Sequence, residues 1–580
     1  MLAQTERIAT PVAQWLVQFE RALGDEGRLA ALFHPDCHWR DLLALTGRIH
    51  TSSGRHTVVA ALREHAGRAR PSGFCIPPGR TAPRNVMRAG KDSIEAIFQF
   101  ETTIGRASGV LRLTTHDGVT RAWTLSTTLN EFKGHEEHLG RTRPTGLTYS
   151  REFRGPNWQD LRRSSASYID RDPTVLIVGG GHAGLSVAAR LRSLQVDTLV
   201  VDRWPRRGDS WRRRYHALTL HNRANINHLP YLSFPPNWPT YIPKDKIAGW
   251  LEAYVDLMEI NYWAGVEFEG GSYAESTRRW TVAVRGEDGN RRELHPRHVV
   301  MATGVSGIPN LPNIPGLGNY AGKVLHSSQY EDGENWTGKR AIVFGTGNSG
   351  HDIAQDLHAG GAKVTLVQRR STHIVNLEPS AQLPYAFYDE GPSLEDCDLI
   401  AVSLPLSLVR ESHRLLTAKA KELDREIHAA LTRVGFKLDD GEEGTGWQFR
   451  YLTRGGGYCF NVGCSDLLAS GEIGLAHFAD IEGFDAQGAL LRGSGVLPAE
   501  LVVLATGYRG LEALVEKLFG AAVSARVGPI WGFGKDQEMR NMFTRTPQPG
   551  LWFAAGGFAQ CRIYSHTLGL QIKAIEEGLA

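Results

Sequence analysis

The chain has 580 residues, of which 41% are hydrophobic and 22% charged, values typical of a folded protein with a large core and not of a disordered one. Lys and Arg number 65 and Asp and Glu 62, so the net charge of +3 is too small to indicate a nucleic-acid partner. Six cysteines in a chain of this length exclude a disulfide scaffold. Glycine is in excess, at 64 residues, which indicates places where the backbone closely approaches another group.

Residues 1–135 are predicted to form an N-terminal α+β domain. Trp15, Leu16 and Phe19 follow the spacing of an amphipathic helix, and a second helix is expected around residues 28–33, ending before Pro35. Three alternating segments after Met87 then predict an antiparallel curved sheet. This order of helices and strands resembles the cone-shaped NTF2-like fold.

The function of the N-terminal domain has two readings. His34, Asp36, His38 and Asp41 lie close together in FHPDCHWRD and are candidate acid–base residues. Pro35 interrupts the helix that would align the two histidines for a metal ion, so no metal site is predicted. The NTF2-like fold hosts both catalytic and non-catalytic roles. We favour a structural or dimerising role, with a homodimer formed through this domain, over catalysis.

Residues 136–170 are charged and interrupted by glycine and proline, and we expect them to be a linker. The first 23 residues carry charges inside their apolar stretch, which is not typical of a secretory signal. The most apolar run, around residues 399–409, is far shorter than the ~18 residues that a membrane span needs. We therefore expect a cytoplasmic protein without a membrane span.

The first glycine-rich motif predicts a dinucleotide site. Gly179, Gly181 and Gly184 follow an apolar strand and open a predicted helix, and the next strand ends in Asp202. Asp202 comes about 20 residues after the first glycine, the offset of an acid that binds a ribose hydroxyl. The glycines would let a pyrophosphate approach the backbone at the helix N-terminus.

A second copy of the motif follows about 165 residues later. Gly345, Gly347 and Gly350 again follow an apolar strand, but the next strand ends in Arg369 and Arg370. An arginine at this position suits the 2′-phosphate of NADP. For Arg369 we expect contact with phosphate, whereas Arg370 is equally consistent with a solvated strand end.

Two dinucleotide motifs in one chain indicate an enzyme with two cofactors, a bound flavin and a nicotinamide that reduces it. Two strands that end in Ala-Thr-Gly, at residues 299–304 and 501–508, support this interpretation, since small residues suit the passage of the chain between two nucleotide domains. They contribute Gly304 and Thr506 as candidate cofactor-binding residues.

Six motifs in order resemble the class B flavin monooxygenases, a family that includes flavin-containing monooxygenases, plant auxin-pathway relatives and Baeyer–Villiger enzymes. They are the first glycine motif, GDSW at 208–211, YHALTLH at 215–221, YAGKVLHSSQY at 320–330, GTGNSG at 345–350 and LATGY at 504–508. The resemblance covers about residues 170–580. Tyr330, in place of tryptophan, and the N-terminal extension are similar to the type II flavin-containing monooxygenases.

The resemblance implies an α/β fold with two Rossmann-type dinucleotide-binding domains. An FAD domain would comprise residues 171–315 and a return segment, 505–580. An NAD(P)H domain would comprise residues 316–504, with a helical insert at about 392–437. FAD and NADPH are the implied cofactors, and NADH is accepted in the type II subgroup.

The implied reaction inserts one oxygen atom from O2 into a small organic substrate. Reduced flavin would add oxygen at its C4a carbon, and the resulting peroxide would convert a ketone into an ester or lactone. The alternative is transfer of oxygen to the nitrogen of an amine or the sulfur of a sulfide. The type II resemblance favours the ketone.

The family pattern also suggests residue roles. In many members an asparagine lies over the flavin at the position of His221, so we expect His221 and the adjacent Asn222 near the flavin or its peroxide. Ser327 is expected near the nicotinamide, and His326 either on the interdomain linker or bonded to nearby backbone. The remaining candidate cofactor contacts are Arg203, Trp211, Asn348 and Ser349.

Pyridine-nucleotide disulfide reductases share both predicted domains and are the main alternative. They need a redox cysteine pair soon after the first glycine motif, and residues 184–290 contain no cysteine. Cys459 and Cys464 lie far downstream, so we interpret them as ordinary buried thiols. The arginine-rich run at 203–214 lies beside the first motif, and we expect it to face cofactor phosphates or solvent and not nucleic acid.

Overall fold

The computed structural model describes residues 2–144, 154–493 and 495–579. In the N-terminal domain three helices pack against a seven-stranded sheet. The helices are α1 (Leu2–Ala22), α2 (Glu26–Ala31) and α3 (Arg55–Ala69), and the strands are β1 (Phe33–Leu42), β2 (Ile49–Ser53), β3 (Ser72–Cys75), β4 (Arg84–Arg88), β5 (Lys91–Glu101), β6 (Gly105–His116) and β7 (Val119–Phe132). The strand order is β2-β1-β7-β6-β5-β3, and β4 pairs with β5.

An aromatic cluster holds the first helix on this sheet. Trp15 and Phe19, one turn apart on α1, stack at 4.8 Å between ring centroids. The ring of Phe19 also meets Phe33 at 6.1 Å and Phe74 at 5.3 Å, edge to face. These side chains are buried, so the spacing that predicts an amphipathic helix corresponds to a face that packs into the core.

The segment FHPDCHWRD forms strand β1 and does not continue a helix. Helix α2 ends at Ala31. Strand β1 can include Pro35 because proline, which has no N–H group, is tolerated at a strand position that donates no hydrogen bond to a neighbouring strand. Asp36 is exposed, whereas Asp41 is fully buried and accepts hydrogen bonds from Thr127 Oγ1 at 2.5 Å and Thr46 Oγ1 at 2.7 Å. Asp36 Oδ1 lies 3.7 Å from His38 Nε2, and the Asp36 amide donates to His34 Nδ1 at 3.0 Å. Three of the four candidates therefore lie together, while Asp41 bonds to other residues. Within the described chain, no cluster of three or more His, Cys, Asp or Glu side chains could hold a metal ion.

The predicted linker contains a short helix, α4 (Trp158–Ser167). Tyr168, which follows it, is fully buried, and its hydroxyl donates to Asp197 Oδ1 at 2.8 Å. The nine residues 145–153 of the predicted linker lie outside the described part of the chain. The end of this segment is thus packed on the domain that follows it.

The first Rossmann unit is built on a parallel sheet with the order β10-β9-β8-β14-β25. Its elements before residue 315 are β8 (Val175–Val178), α5 (His182–Ser193), β9 (Thr198–Asp202), α6 (Asp209–Arg212), α7 (Lys244–Leu257), β10 (Asn261–Ala264), β11 (Val266–Ala274), β12 (Arg279–Gly286), β13 (Arg291–Leu294) and β14 (His298–Met301). Every residue of β8, β9 and β14 is buried, as expected for a parallel sheet that is covered on both faces.

The second Rossmann unit has its own parallel sheet with the order β15-β24-β16-β17-β20. Its strands are β15 (Lys323–His326), β16 (Arg340–Phe344), β17 (Lys363–Gln368), β18 (His373–Asn376), β19 (Tyr458–Asn461), β20 (Gly474–His477), β21 (Ile481–Phe484), β22 (Gly488–Leu491), β23 (Gly495–Pro498) and β24 (Leu501–Leu504). Its helices are α8 (Asn348–Ala359), α9 (Leu394–Val402), α10 (Leu406–Leu423), α11 (Arg425–Arg433), α12 (Gly446–Arg454) and α13 (Cys464–Ser470).

The chain then returns to the first unit through α14 (Leu511–Phe519), α15 (Ala521–Val527), β25 (Leu551–Phe553) and α16 (Phe558–Glu576). Strand β25 pairs in parallel with β14, and α16 packs on α5. The two parallel sheets confirm the predicted α/β class. Two antiparallel three-stranded sheets, β11–β13 and β21–β23, interrupt the parallel pattern and were not predicted. None of the helices described is both long enough and apolar enough to cross a membrane.

Candidate active site

The first glycine motif forms a tight turn between β8 and α5. Gly179 has a φ of +107°, and a Cβ there would lie 2.5 Å from the carbonyl oxygen of Ala302. A Cβ on Gly184 would lie 2.0 Å from Gly179 O, so this position needs glycine for helix–strand packing. Gly181 is different, since a Cβ there would meet only Ser210 Oγ, at 3.7 Å. The space beside Gly181, at the N-terminus of α5, is therefore open to a ligand.

Asp202 stabilises this turn from the end of β9. Its buried carboxylate accepts the Gly180 amide at 2.6 Å and the Trp204 amide at 2.9 Å. Burial raises the pKa of Asp202, while the two amide hydrogen bonds oppose that shift. Arg203 is exposed, and its guanidinium lies over the Trp204 ring at 4.9 Å. The acid thus lies against the glycine turn, and its contact with a ribose stays a prediction.

The residues around the turn fit FAD. Two hydroxyl groups, Ser210 Oγ and Thr303 Oγ1, are buried and have no hydrogen-bond partner among the described residues. Trp211 lies nearby, with its ring 5.8 Å from His182. Gly304 has a φ of +72° and open space where a Cβ would be. Unpaired hydroxyls beside a glycine turn and a helix N-terminus are the groups that a bound pyrophosphate and ribose would satisfy.

The second glycine motif repeats this geometry between β16 and α8. A Cβ on Gly345 would lie 2.2 Å from Ala505 O, and one on Gly350 would lie 2.0 Å from Gly345 O. Gly347 caps α8, and the nearest atom to a Cβ there is Tyr458 O at 3.6 Å. The side chain of Asn348 is held at its Oδ1, which accepts the Phe460 amide at 2.8 Å. Ser349 is partly buried beside it.

Arg369 and Arg370 follow β17 and are both exposed. Neither makes a hydrogen bond or an ion pair with any residue that the structure describes. Gln368, just before them, is buried and bonded to the Lys437 backbone at 2.9 Å and 2.8 Å. The strand end is therefore firmly held, while the two guanidinium groups are available to an anion. This arrangement fits the 2′-phosphate of NADP.

The second Ala-Thr-Gly segment pairs with residues 309 and 310, which follow the first one, where the chain passes between the Rossmann units. Thr506 Oγ1 donates to Asn310 O at 2.6 Å, and the Asn310 amide donates to Gly507 O at 2.9 Å. Pro309 and Tyr508 form an isolated antiparallel bridge. The segment that leaves the first Rossmann unit thus runs beside the segment that returns from the second.

His326 lies at this crossing. Its Nε2 is 3.1 Å from Gly507 O, which can only accept, and its Nδ1 accepts the Ser328 amide at 3.2 Å. These partners select the neutral imidazole with the proton on Nε2. Burial lowers the pKa of His326, consistent with that form. His326 thus bonds to backbone at the crossing, and a role in the reaction stays a prediction. Ser327, next to it, is buried.

His221 and Asn222 lie against the second Rossmann unit. The His221 ring meets Phe460 of β19 edge to face, at 5.3 Å. Asn222 Nδ2 donates to Tyr385 Oη at 3.4 Å. Burial lowers the pKa of His221, and the carboxylate of Asp352 partly offsets this. The histidine is thus held between the two units.

Two carboxylates on α8 were not among the predicted site residues. Asp352 accepts a hydrogen bond from Tyr215 Oη at 2.5 Å, and Asp356, one turn later, accepts one from Tyr330 Oη at 2.7 Å. Both tyrosines lie in motifs already recognised, and the two aspartates share one helix face by their spacing of four. That spacing, in the helix that follows the second glycine motif, is the signal that could have identified them. The two hydrogen bonds join α8 to the segment that precedes His221 and to the segment that follows β15.

All six cysteines are free. Cys459 and Cys464 are buried, and burial raises the pKa of both thiols. Neither is near the thiolate form that disulfide exchange requires. The structure thus lacks the redox pair of a disulfide reductase.

Comparison with known proteins bears on the same residues. A family model described as pyridine nucleotide-disulphide oxidoreductase matches residues 176–386. Indole-3-pyruvate monooxygenase YUCCA1 of Oryza sativa subsp. japonica is 31% identical over 343 residues, which span 58% of this chain and 77% of that protein. Probable indole-3-pyruvate monooxygenase YUCCA9 of Arabidopsis thaliana is 28% identical over 384 residues, or 66% of this chain and 82% of that protein.

Among solved structures, an oxidized steroid monooxygenase bound to NADP superimposes with a TM-score of 0.50 at 19% identity, covering 70% of this chain and 86% of that one. This likeness shows the fold with two Rossmann units. The identity with the rice enzyme, extended over more than two thirds of its length, shows the family. The chain belongs to the class B flavin monooxygenases, oxidoreductases that use FAD and NADPH.

Proposed function

We propose that this enzyme converts a small ketone into an ester or lactone, a Baeyer–Villiger oxygenation. The balance is ketone, O2, NADPH and a proton in, and ester, NADP⁺ and water out. One oxygen atom enters between the carbonyl carbon and a neighbouring carbon. Bound FAD, once reduced by NADPH, supplies the activation of O2. The chain itself contributes binding, orientation and the exclusion of water.

The cofactors would be held by the two glycine turns. For FAD we propose Gly179, Gly181, Gly184, Asp202, Arg203, Trp211 and Gly304. For NADPH we propose Gly345, Gly347, Gly350, Asn348, Ser349, Thr506, Arg369 and Arg370, with Ser327 near the nicotinamide. The two exposed guanidinium groups favour NADPH over NADH, and some use of NADH is proposed only from the resemblance to the type II subgroup.

The observation that carries the ketone assignment is the environment of His221. Burial lowers its pKa, so the imidazole is neutral near pH 7. A neutral imidazole can donate one hydrogen bond to an oxygen anion without protonating it fully. Attack on a carbonyl carbon needs a nucleophilic oxygen, whereas oxidation of a sulfide or amine needs an electrophilic, protonated one. A neutral donor therefore favours the ketone reaction.

The wall near His221 suits an apolar substrate. Trp447 lies 4.7 Å from Phe460 and 5.6 Å from Tyr458, ring centroid to ring centroid, and all three are buried. Tyr385, the partner of Asn222, lies 6.1 Å from Trp447. The plant relatives are named for indole-3-pyruvate, a 2-oxo acid that also carries a ketone carbonyl. These features together support a carbonyl compound with an apolar body.

A panel of three substrates tests the proposal. A cyclic ketone, a tertiary amine and a sulfide are each incubated with the FAD-loaded enzyme, NADPH and O2, and the products are identified by mass spectrometry. We expect a lactone, formed in proportion to the NADPH consumed. Formation of sulfoxide or N-oxide alone would assign the enzyme to heteroatom oxygenation. The cytoplasmic location and a homodimer through the N-terminal domain stay predictions from the sequence.

A further inference from the structure

The outer face of the N-terminal sheet carries charges that are buried against the rest of the chain. Arg40 of β1 is 8% exposed and Arg112 of β6 is not exposed at all. Charges are rarely buried unless they are paired and fully hydrogen-bonded. Arg112 pairs with Glu95 of its own sheet, at 2.9 Å and 2.7 Å, so the partners of Arg40 show best what this face of the domain is built to hold.

Arg40 connects three separate parts of the chain. Its Nε and Nη2 bind Glu538 of the return segment, at 2.9 Å and 2.6 Å. Its Nη1 donates to the carbonyl oxygen of Val402, at the end of α9, at 2.6 Å, and its Nη2 lies 3.2 Å from Tyr564 Oη on α16. One guanidinium thus uses its planar fork to tie the N-terminal domain to both Rossmann units.

The rest of α9 is held by the same face. Arg112 Nη2 donates to Ser403 Oγ at 2.9 Å, and the Thr81 amide donates to Asp396 Oδ2 at 2.8 Å. Between these polar contacts, the buried side chains of Ile97 and Val110 pack against Leu399 and Ile400 in a small apolar cluster. The N-terminal domain thus contacts the helix along its length and at its end.

On its other side α9 is bonded to α16. Arg562 binds Asp398 with two hydrogen bonds, of 2.7 Å and 2.6 Å. The N-terminus of α16 lies at the first glycine turn, where His182 Nε2 is 2.8 Å from Gly556 O. Tyr451, on helix α12 of the second unit, accepts the Gly557 amide at 2.9 Å. Helix α9 is therefore fixed between the N-terminal domain and the helix that borders the proposed FAD site.

We propose that the N-terminal domain is a brace that holds the helical insert of the second Rossmann unit closed over the FAD site, with Arg40 as its central positioning residue. The brace keeps α9 in contact with α16. It thereby keeps the buried aromatic side chains near His221 correctly placed relative to the first glycine turn. Water is excluded from the reaction centre as a result. Loss of the brace opens this contact, and NADPH, O2 and a proton are then converted into NADP⁺ and hydrogen peroxide without oxygenated product.

Only one measurement in the test, the rate of NADPH oxidation, rests on the proposed function. The test also separates an effect on the position of α9 from an effect on folding stability. Arg40→Met leaves Glu538 buried and unpaired, and should lower Tm. Arg40→Met with Glu538→Met removes both charges, and such a replacement of a buried pair is often neutral for stability. Both variants lose the bond to Val402 O. Arg106→Met is the matched control, since Arg106 is 46% exposed in the same sheet and pairs with Glu131 of its own domain and with Glu136 just after it.

We measure Tm, the rate of NADPH oxidation by the FAD-loaded enzyme without substrate, and hydrogen exchange of residues 394–403. In the double variant we expect a Tm near that of wild type, a rate of substrate-free NADPH oxidation raised about tenfold, and faster exchange in α9. The control should match wild type in all three. A stable double variant with wild-type exchange and wild-type NADPH oxidation would overturn the brace.

A second pair of substitutions approaches the contact from the insert. Ser403→Ala with Asp396→Asn weakens the grip on α9 while leaving Arg40 and Glu538 paired. It should raise exchange in α9 and substrate-free NADPH oxidation in the same direction, and it decides the question if the Arg40 variants do not fold. Unchanged exchange here would also overturn the brace. If wild-type enzyme oxidises no NADPH, the proposed function fails, while the exchange measurement still tests the brace.

Discussion

The hydroxyl of Tyr215 donates a hydrogen bond to Asp352 Oδ2 at 2.5 Å, which joins the segment before His221 to the helix of the second glycine motif. Burial raises the pKa of Asp352, and the interaction with His221 and the bond from Tyr215 oppose that rise. The phenol, the carboxylate and the imidazole thus form one electrostatic group at the contact between the two Rossmann units. Its charge state sets how the proposed oxygen chemistry depends on pH.

The yield of ketone oxygenation per NADPH should fall in acid. The pKa of His221 is lowered from 6.5, so the imidazole is neutral at pH 7 and becomes cationic only as the pH falls through a value below 6.5. His221→Asn retains a neutral donor that cannot be protonated. It should abolish the decrease in yield at low pH, the acid limb of the pH profile. Product and NADPH are measured together between pH 5 and 8. An unchanged acid limb in the variant would assign it to another group.

Tyr215→Phe should cost about 1–2 kcal/mol of folding stability, since it leaves the Asp352 carboxylate buried without its donor. It should also move the acid limb, because a carboxylate that protonates more readily raises the pKa of His221 less. Tyr330→Phe is the matched control, since it removes the equivalent bond to Asp356 one turn further along α8. Denaturant unfolding and the pH profile are measured for both. If the two variants shift the acid limb equally, Tyr215 has no specific effect on His221.

Gly181→Val should give a folded protein that does not bind FAD. A Cβ at Gly181 meets only Ser210 Oγ, at 3.7 Å, so the added side chain fills the open space that the pyrophosphate would occupy. Gly184→Val should instead destabilise the fold, because its Cβ would lie 2.0 Å from Gly179 O. Circular dichroism and the flavin absorbance of the purified proteins distinguish the two. A yellow Gly181→Val protein would contradict the assignment of this turn to FAD.

Arg369→Ala should raise the KM for NADPH roughly tenfold to a hundredfold, the effect of losing a charge-assisted hydrogen bond of ~1.5–3 kcal/mol. The KM for NADH should stay nearly constant, since NADH has no 2′-phosphate. Arg369 is exposed and has no partner among the described residues, so Tm should not change. Arg370→Ala is the companion variant, and an equal loss for both cofactors would show that neither residue reads the phosphate.

The two Rossmann units can be predicted from the amino-acid sequence, because each signal is local. An apolar strand, a glycine turn and a helix N-terminus form within about 20 residues, and the close approaches at Gly184 and Gly350 admit no Cβ. Local patterns also predicted helix α1 and strands β5 to β7. They failed at β1, where Pro35 suggested only the end of a helix, because pairing with β2 and β7 outweighs the local preference.

Contacts between residues that are far apart in the sequence could not be predicted. Asp352 pairs with Tyr215 across 137 residues, and Arg40 pairs with Glu538 across 498. No local periodicity encodes such partners, since each residue on its own reads as an ordinary polar side chain of a helix or strand. Their burial, and with it the lowered pKa of His221 and the grip on α9, arises only when separate domains pack and remove water from between them.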